Sequence, residues 1–260
     1  MGEKHILNNE YILDIKNLNI YSSKEKHIIK NLSVSIEANT VVSIIGPLFS
    51  GKTILLKSIN RLNDLYYNIK TKGQIYYKGK NIQDLRPIDI RKKIGMIFKD
   101  PHVFPYMNIY NNVLSGYSLN RISLSKTEKD QIVEESLRDV YLWDEVKDDI
   151  YKKPDFLRKG QQQRLCIART IALKPDIILM DEPTNCMSAY CSNRIEDMIY
   201  KYKESHTIIV VTKNLSQAAR ISDHTLFLKN GELVEYGPTS QLFWNPVDKR
   251  TEEFITNQSD

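Results

Sequence analysis

At 260 residues, with 41% hydrophobic and 27% charged side chains, the chain can bury a sizeable core, and its composition excludes the disordered and collagen-like classes. Its 37 basic and 32 acidic residues give a formal charge of +5, mixed along the chain without a basic block. That pattern gives nucleic-acid binding little support and is equally compatible with a place beside an anionic membrane surface. No apolar run approaches the roughly 20 residues that span a bilayer. Residues 1–10 lack the apolar core and cleavage site of a secretory signal, and Cys166, Cys186 and Cys191 have no metal-ligand pairing. A cytoplasmic chain with reduced, packing cysteines is expected.

Residues 11–20 alternate apolar and polar, with Ile12, Ile15, Leu18 and Ile20 as the inward positions of an antiparallel strand. Residues 41–45 form a continuous apolar run ending at Gly46 and Pro47, the pattern of a strand covered on both faces. Residues 52–62 then place Ile54, Leu55, Ile59 and Leu62 at helical spacing, so the unit reads strand, loop, helix. Short strands are expected at 74–77 and 94–98, with Lys78, Gly79 and Lys80 as the turn after the first. The polar stretch 106–150 carries Glu134, Leu137, Val140 and Tyr141 at helix spacing and reads as a subdomain. A helix over 160–173 is stopped by Lys174 and Pro175; residues 177–180 and 207–211 are further buried strands, with a helix over 188–204 between them. The alternation implies a parallel α/β sheet. Residues 224–228 and 232–236, around Asn230 and Gly231, predict a hairpin with a type I′ turn.

Gly46, Pro47, Leu48, Phe49, Ser50, Gly51, Lys52 and Thr53 match G-x-x-x-x-G-K-[ST] between a buried strand and a helix. Glycines let the backbone amides wrap phosphate oxygens at a helix N-terminus, whose dipole favours anions. Lys52 is expected to reach the β and γ phosphates of ATP, and the Thr53 hydroxyl to ligate Mg²⁺. Asp181 and Glu182 follow the apolar run 177–180, at the sheet edge where α/β ligands bind. Asp181 suits Mg²⁺, and Glu182 suits polarisation of an attacking water.

With those motifs in place, Leu157, Arg158, Lys159, Gly160 and Gln161, followed by Gln162, Gln163 and Arg164, stand where ABC transporter ATP-binding subunits carry their LSGGQ signature. The chain resembles that family over nearly its whole length. The stretch GQQQRLCIART, the run QAARISDHT and TEEFIT near the C-terminus are similar to its phosphate-import branch. The resemblance implies a P-loop α/β fold of ABC ATPase type: a mainly parallel core sheet, an antiparallel β subdomain and a helical subdomain at about 103–165, in one ATP-binding domain over 1–260. It implies a peripheral protein on the cytoplasmic face of the membrane, driving phosphate import by ATP hydrolysis. Implied partners are two transmembrane permease subunits, a phosphate-binding protein and a second ATP-binding subunit, identical or paralogous, with each ATP held between one subunit's loop and the other's signature. Tyr21 lies near the family's adenine-stacking aromatic, or is an ordinary strand-end aromatic.

Several positions depart from the family pattern. Lys99 replaces a Gln whose oxygen approaches Mg²⁺ and water, and has no acceptor atom. Arg158 replaces a Ser that donates to the γ phosphate, and Lys159 replaces a Gly that lies against phosphate. Ser188 replaces an Asp that organises the dimer contact, and Lys213 replaces a His that orients the catalytic Glu. Two readings follow: a hydrolysing transport subunit that tolerates these changes, or an ATP-binding regulatory or structural subunit that pairs with an active paralogue.

Overall fold

The structure, a computed structural model, describes residues 11–23 and 26–257; the reading of residues 1–10 lies outside the described residues. The chain opens with strands β1 (Tyr11–Ser22), β2 (His27–Glu37) and β3 (Val41–Ile45), and β3 leads into helix α1 (Lys52–Ile59). Strands β4 (Ile69–Tyr77) and β5 (Lys80–Asn81), helix α2 (Pro87–Lys93) and strand β6 (Ile94–Ile97) follow. The middle is helical: α3 (Ile109–Leu119), α4 (Lys126–Asp139), the single turn α5 (Trp143–Val146) and α6 (Lys159–Ile171). The last third runs β7 (Ile177–Asp181), α7 (Ala189–Tyr202), β8 (Thr207–Val211), α8 (Leu215–Ile221), β9 (His224–Lys229) and β10 (Glu232–Pro238), then α9 (Thr239–Trp244) and α10 (Lys249–Thr256).

Two sheets result, one antiparallel in the order β2-β1-β4-β5 and one in the order β10-β9-β3-β8-β7-β6. In the second sheet β6, β7, β8, β3 and β9 are parallel, and only β10 runs against its neighbour. Successive side chains of a strand face opposite sides, so each central strand feeds two cores. Leu179 and Ile209 join Ile15, Leu32, Leu55 and Ile59 in a cluster that includes β1, β2 and α1. Ile178, Met180 and Val210 instead join Val113, Leu137, Leu165 and Ile199 of the helical layer. Complete burial of β3, β7 and β8 matches their continuous apolar runs. Ile12, Ile15, Leu18 and Ile20 are buried as the alternation predicts.

The structure corrects several boundaries. Helix α1 ends at Ile59, not 62, because Arg61 turns left-handed at φ 61° and residues Leu62–Leu65 form a 3₁₀ turn. Strand β4 begins at Ile69, not 74; its first residues are largely exposed on a sheet edge and carry no apolar period. The 106–150 stretch breaks into separate helices, with α4 started by Ser125, whose Oγ accepts from Glu128 N while Glu128 Oε2 accepts from Ser125 N. Asn230 and Gly231 take φ 52° and 81°, as the type I′ turn requires.

Candidate functional site

Four parallel strands end at one edge of the sheet. Strand β3 delivers the loop 46–53, β7 delivers Asp181 and Glu182, β6 leads to Lys99, and β8 leads to Lys213. This is the edge at which open α/β sheets place ligands. The loop borders a cleft of about 680 Å³, lined by residues 48–54, by Lys99 and Glu182, and by Lys26, His27 and Lys30 of the second-strand region. That volume suits a nucleotide-sized ligand.

Gly46 has φ 148°, and a Cβ there would lie 2.0 Å from the Leu228 carbonyl oxygen, so only glycine fits this first bend. The Lys52 ammonium folds over the loop and donates to the carbonyl oxygens of Gly46 and Pro47, both at 2.7 Å, and to Ser50 Oγ at 3.3 Å. Burial pushes its pKa down, while the carboxylates of Glu182 and Asp181 pull it back up. Phosphate oxygens, which carry more charge than carbonyls, are the stronger acceptors for such a group. Leu48 and Phe49 at the loop's tip are largely exposed, Phe49 at φ 62°.

The Thr53 hydroxyl donates to Asp181 Oδ1 and Oδ2 at 3.1 and 2.9 Å. Burial raises the Asp181 carboxyl above its ordinary value, the Thr53 bond opposes this, and the neighbouring Glu182 charge adds to it. Among the described residues, no group of three or more His, Cys, Asp or Glu side chains could hold a metal. A hydroxyl and one carboxylate beside a phosphate loop nevertheless fit Mg²⁺, which takes one or two protein oxygens and completes its shell with phosphates and water.

Glu182 sits just past β7 at φ 44°, and its amide donates to Val211 O at 2.8 Å, fixing it beside the end of β8. Both lysine replacements converge on its carboxylate. Lys99 Nζ lies 3.1 Å from Oε1, and Lys213 Nζ lies 3.9 Å from Oε2 while donating to Asn185 Oδ1 at 3.0 Å. Glu182 Oε2 is buried and has no hydrogen-bond donor.

The signature residues are placed apart from the cleft. Arg158 is the N-cap of α6, and its amide donates to Gln161 Oε1 at 2.8 Å, while Gln161 Nε2 donates to Glu145 Oε2. Arg158 has no acceptor to return the bond, so the cap that Ser would complete is half made. Lys159 is exposed, and Gly160 packs near the Cys186 carbonyl, 3.2 Å from where a Cβ would sit. Ser188 keeps a local task as the N-cap of α7, accepting from Cys191 N at 3.3 Å. Tyr21 is not among the cleft's lining residues; its ring stacks on His27, 4.3 Å between centroids, and His27 lines the cleft.

Sequence reasoning missed β2 and the cleft residues His27 and Lys30 that it carries. Leu32, Val34 and Ile36 do alternate, but Asn31 at φ 44° shifts the register and interrupts the period. It also missed the bracing of the loop by the hairpin turn: Gly231 N donates to Ser50 O at 3.1 Å, and Gly231 O accepts from Lys30 N at 2.8 Å.

A family model described as ABC transporter matches residues 29–185. The chain is 45% identical over 253 residues to the phosphate import ATP-binding protein PstB 2 of Bacillus licheniformis, covering 96% of this chain and 90% of that protein. Among solved structures, a dimeric post-hydrolysis state of the ATP-binding cassette MJ0796, bound to ADP and Pi, superposes with a TM-score of 0.77 at 28% identity. That match covers 87% of this chain and 98% of the other. A bacterial Atm1-family ABC exporter shares the fold, with a TM-score of 0.81 at 23% identity over 98% of this chain and 43% of its own. With a phosphate loop, a Thr and Asp oxygen pair and a partly buried Glu on the expected sheet edge, and a family model spanning them, the chain belongs to the ABC transporter family of ATP-binding subunits.

Proposed function

We propose that the chain is the ATP-hydrolysing subunit of an importer of inorganic phosphate, peripheral on the cytoplasmic face of the membrane. The observation that carries the reading is the convergence of Lys52, Thr53 and Glu182 on one cleft, with Asp181 bonded to Thr53, in a chain 45% identical to a phosphate-import ATP-binding protein. The loop amides and Lys52 bind the β and γ phosphates of ATP. Thr53 and Asp181 would hold Mg²⁺, which when bound would offset phosphate charge, and Glu182 is placed to orient the attacking water.

Arg158, Lys159, Gly160 and Gln161 lie outside this chain's own cleft, which is compatible with the dimer arrangement that the resemblance implies, in which they would face the nucleotide of a second ATP-binding subunit. The expected remaining partners are two permease subunits and a phosphate-binding protein. Among the described residues no helix is long and apolar enough to cross a membrane. The helical layer between about 103 and 165 is assigned as a subdomain of one ATP-binding domain over 1–260. The relatives lend no support to a subunit that only holds nucleotide. The test is Mg-ATP binding and phosphate release by the purified chain, alone and with its permease subunits, beside Glu182→Gln. Release that depends on Glu182 supports the proposal; binding without release in the assembled complex overturns it.

A further inference from the structure

The cleft contains more positive charge than a phosphate loop by itself supplies. Around the two carboxylates of Asp181 and Glu182 stand the ammonium groups of Lys52, Lys99 and Lys213, and the charge of Lys57 also acts on Asp181. Asp181 is engaged by the Thr53 hydroxyl, and Glu182 by both Lys99 and Lys213. The cluster therefore carries a net positive charge, on the side of the loop where terminal phosphates sit.

Lys99 is the member best placed to use it. Its side chain lines the cleft and is 44% exposed, and its ammonium lies 3.1 Å from Glu182 Oε1, so it faces both the carboxylate and the open cleft. The backbone beneath it is fixed: Gln163, fully buried, donates through Nε2 to the Phe98 carbonyl at 2.7 Å. An ammonium has three donors and no acceptor, so it cannot ligate a metal but can pair with a phosphate oxygen. With one donor spent on Glu182, two remain. Lys52, at the other wall, already feels the Lys99 charge, so the two groups share one field.

We propose that Lys99 supplies part of the positive charge that a divalent cation otherwise brings to the nucleotide, so that this chain binds a nucleoside triphosphate without a divalent cation. The inference rests on the reading of the cleft as a nucleotide site. An ammonium bridging Glu182 and the terminal phosphate offsets the repulsion between the partly buried carboxylate and the anionic ligand, which is the repulsion a metal ion would offset.

The test is calorimetric titration of ATP into the full chain, in Mg²⁺ and again in EDTA. It compares the wild type with Lys99→Gln, Lys99→Arg and Lys52→Ala. Lys99 is exposed enough for these substitutions to leave the fold intact, and thermal unfolding of each variant checks that. In Mg²⁺ Lys99→Arg is expected to bind within about threefold of the wild type, and Lys99→Gln to lose roughly tenfold, because it gives up a phosphate donor. In EDTA the wild type and Lys99→Arg should weaken by no more than roughly tenfold, and Lys99→Gln by roughly a hundredfold or more. Equal losses for the wild type and Lys99→Gln in EDTA would overturn the role of Lys99 while leaving the nucleotide site standing. Absence of binding by every chain in both conditions would overturn the nucleotide reading and this inference together. Lys52→Ala, which lacks the loop's own cation, should fail in both conditions.

Discussion

The hydroxyl of Thr53, at the start of α1, donates to both carboxylate oxygens of Asp181, 128 positions later at the end of β7. Two elements that must stay in register around a nucleotide are thus joined by one side-chain pair. Thr53→Val removes the donor and leaves a buried carboxylate without it, at an expected cost of about 1–3 kcal/mol in urea unfolding. On the proposed function, in which the hydroxyl would hold the metal, the same variant should lose affinity for Mg-ATP but little for ATP in EDTA.

Asp181→Asn separates stability from function. The folded chain holds this carboxyl above its ordinary value of 3.8, mainly by burial. Its contribution to stability is therefore full below about pH 3.8 and is lost as pH rises through the folded value. The neutral amide escapes that loss. Unfolding measured from pH 4 to 8 should show Asp181→Asn gaining on the wild type as pH rises, then holding a constant lead, while Mg-ATP affinity falls. A lead that shrinks with rising pH would contradict this assignment.

Gly231 tests the hairpin as a brace. At φ 81° it occupies the left-handed region, and an added Cβ would lie 2.2 Å from the Ile28 carbonyl oxygen. Gly231→Ala must shift either the turn or β2, and both shifts disturb the bonds to Ser50 and Lys30. The expected loss is roughly 1–3 kcal/mol, with weaker nucleotide binding although residue 231 contributes no side chain to the cleft. Unchanged affinity in a destabilised variant would mean that the loop holds its shape without the turn.

Much of this was legible in the sequence, and the exceptions have physical causes. Continuous apolar runs report strands covered on both faces, so β3, β7 and β8 and the motifs at their ends could be read directly. Strand β2 could not, because the left-handed Asn31 breaks its period. The edge portion of β4 is exposed and carries no pattern. Within the site, the spacing of the loop locates Lys52 and Thr53, but nothing in the spacing says that Lys99 and Lys213 both turn toward Glu182. Those contacts depend on the order in which β6, β7 and β8 lie side by side. Ser188 shows a related limit: the resemblance implies a lost contact with a partner, and its local place as a helix cap shows only in the structure.

Gln217, almost fully buried on α8, ties the loops after β7 and β8 together. Its Oε1 accepts from Thr212 Oγ1 at 2.8 Å, and its Nε2 donates to Thr184 Oγ1 and to Glu196 Oε1 at 3.2 and 3.1 Å. Arg220 completes the network with two bonds to Glu196. Gln217→Leu preserves bulk but strips partners from buried polar groups, so a loss of about 2 kcal/mol is expected. Because Lys213 follows Thr212, ATP turnover should change as well; an unchanged turnover would confine the network to stability.

The two lysines on Glu182 give the last prediction. A water-orienting carboxylate works through its free acceptor oxygens, and here one oxygen is paired at 3.1 Å while a second ammonium lies 3.9 Å from the other. The Lys99 pair is partly exposed and is worth no more than about 1 kcal/mol to the fold. Its removal should therefore cost little stability while releasing the carboxylate. Lys99→Gln combined with Lys213→His replaces both cations by groups that can accept as well as donate. The double variant is expected to hydrolyse ATP about tenfold faster than the wild type under saturating Mg-ATP, equivalent to about 1.4 kcal/mol in the barrier. Adding Glu182→Gln should abolish the gain, since the released group is the one that acts. If turnover stays at the wild-type level while Mg-ATP still binds, the ion pairs are not what limits the chemistry, and the altered signature at Arg158 and Lys159 becomes the place to look.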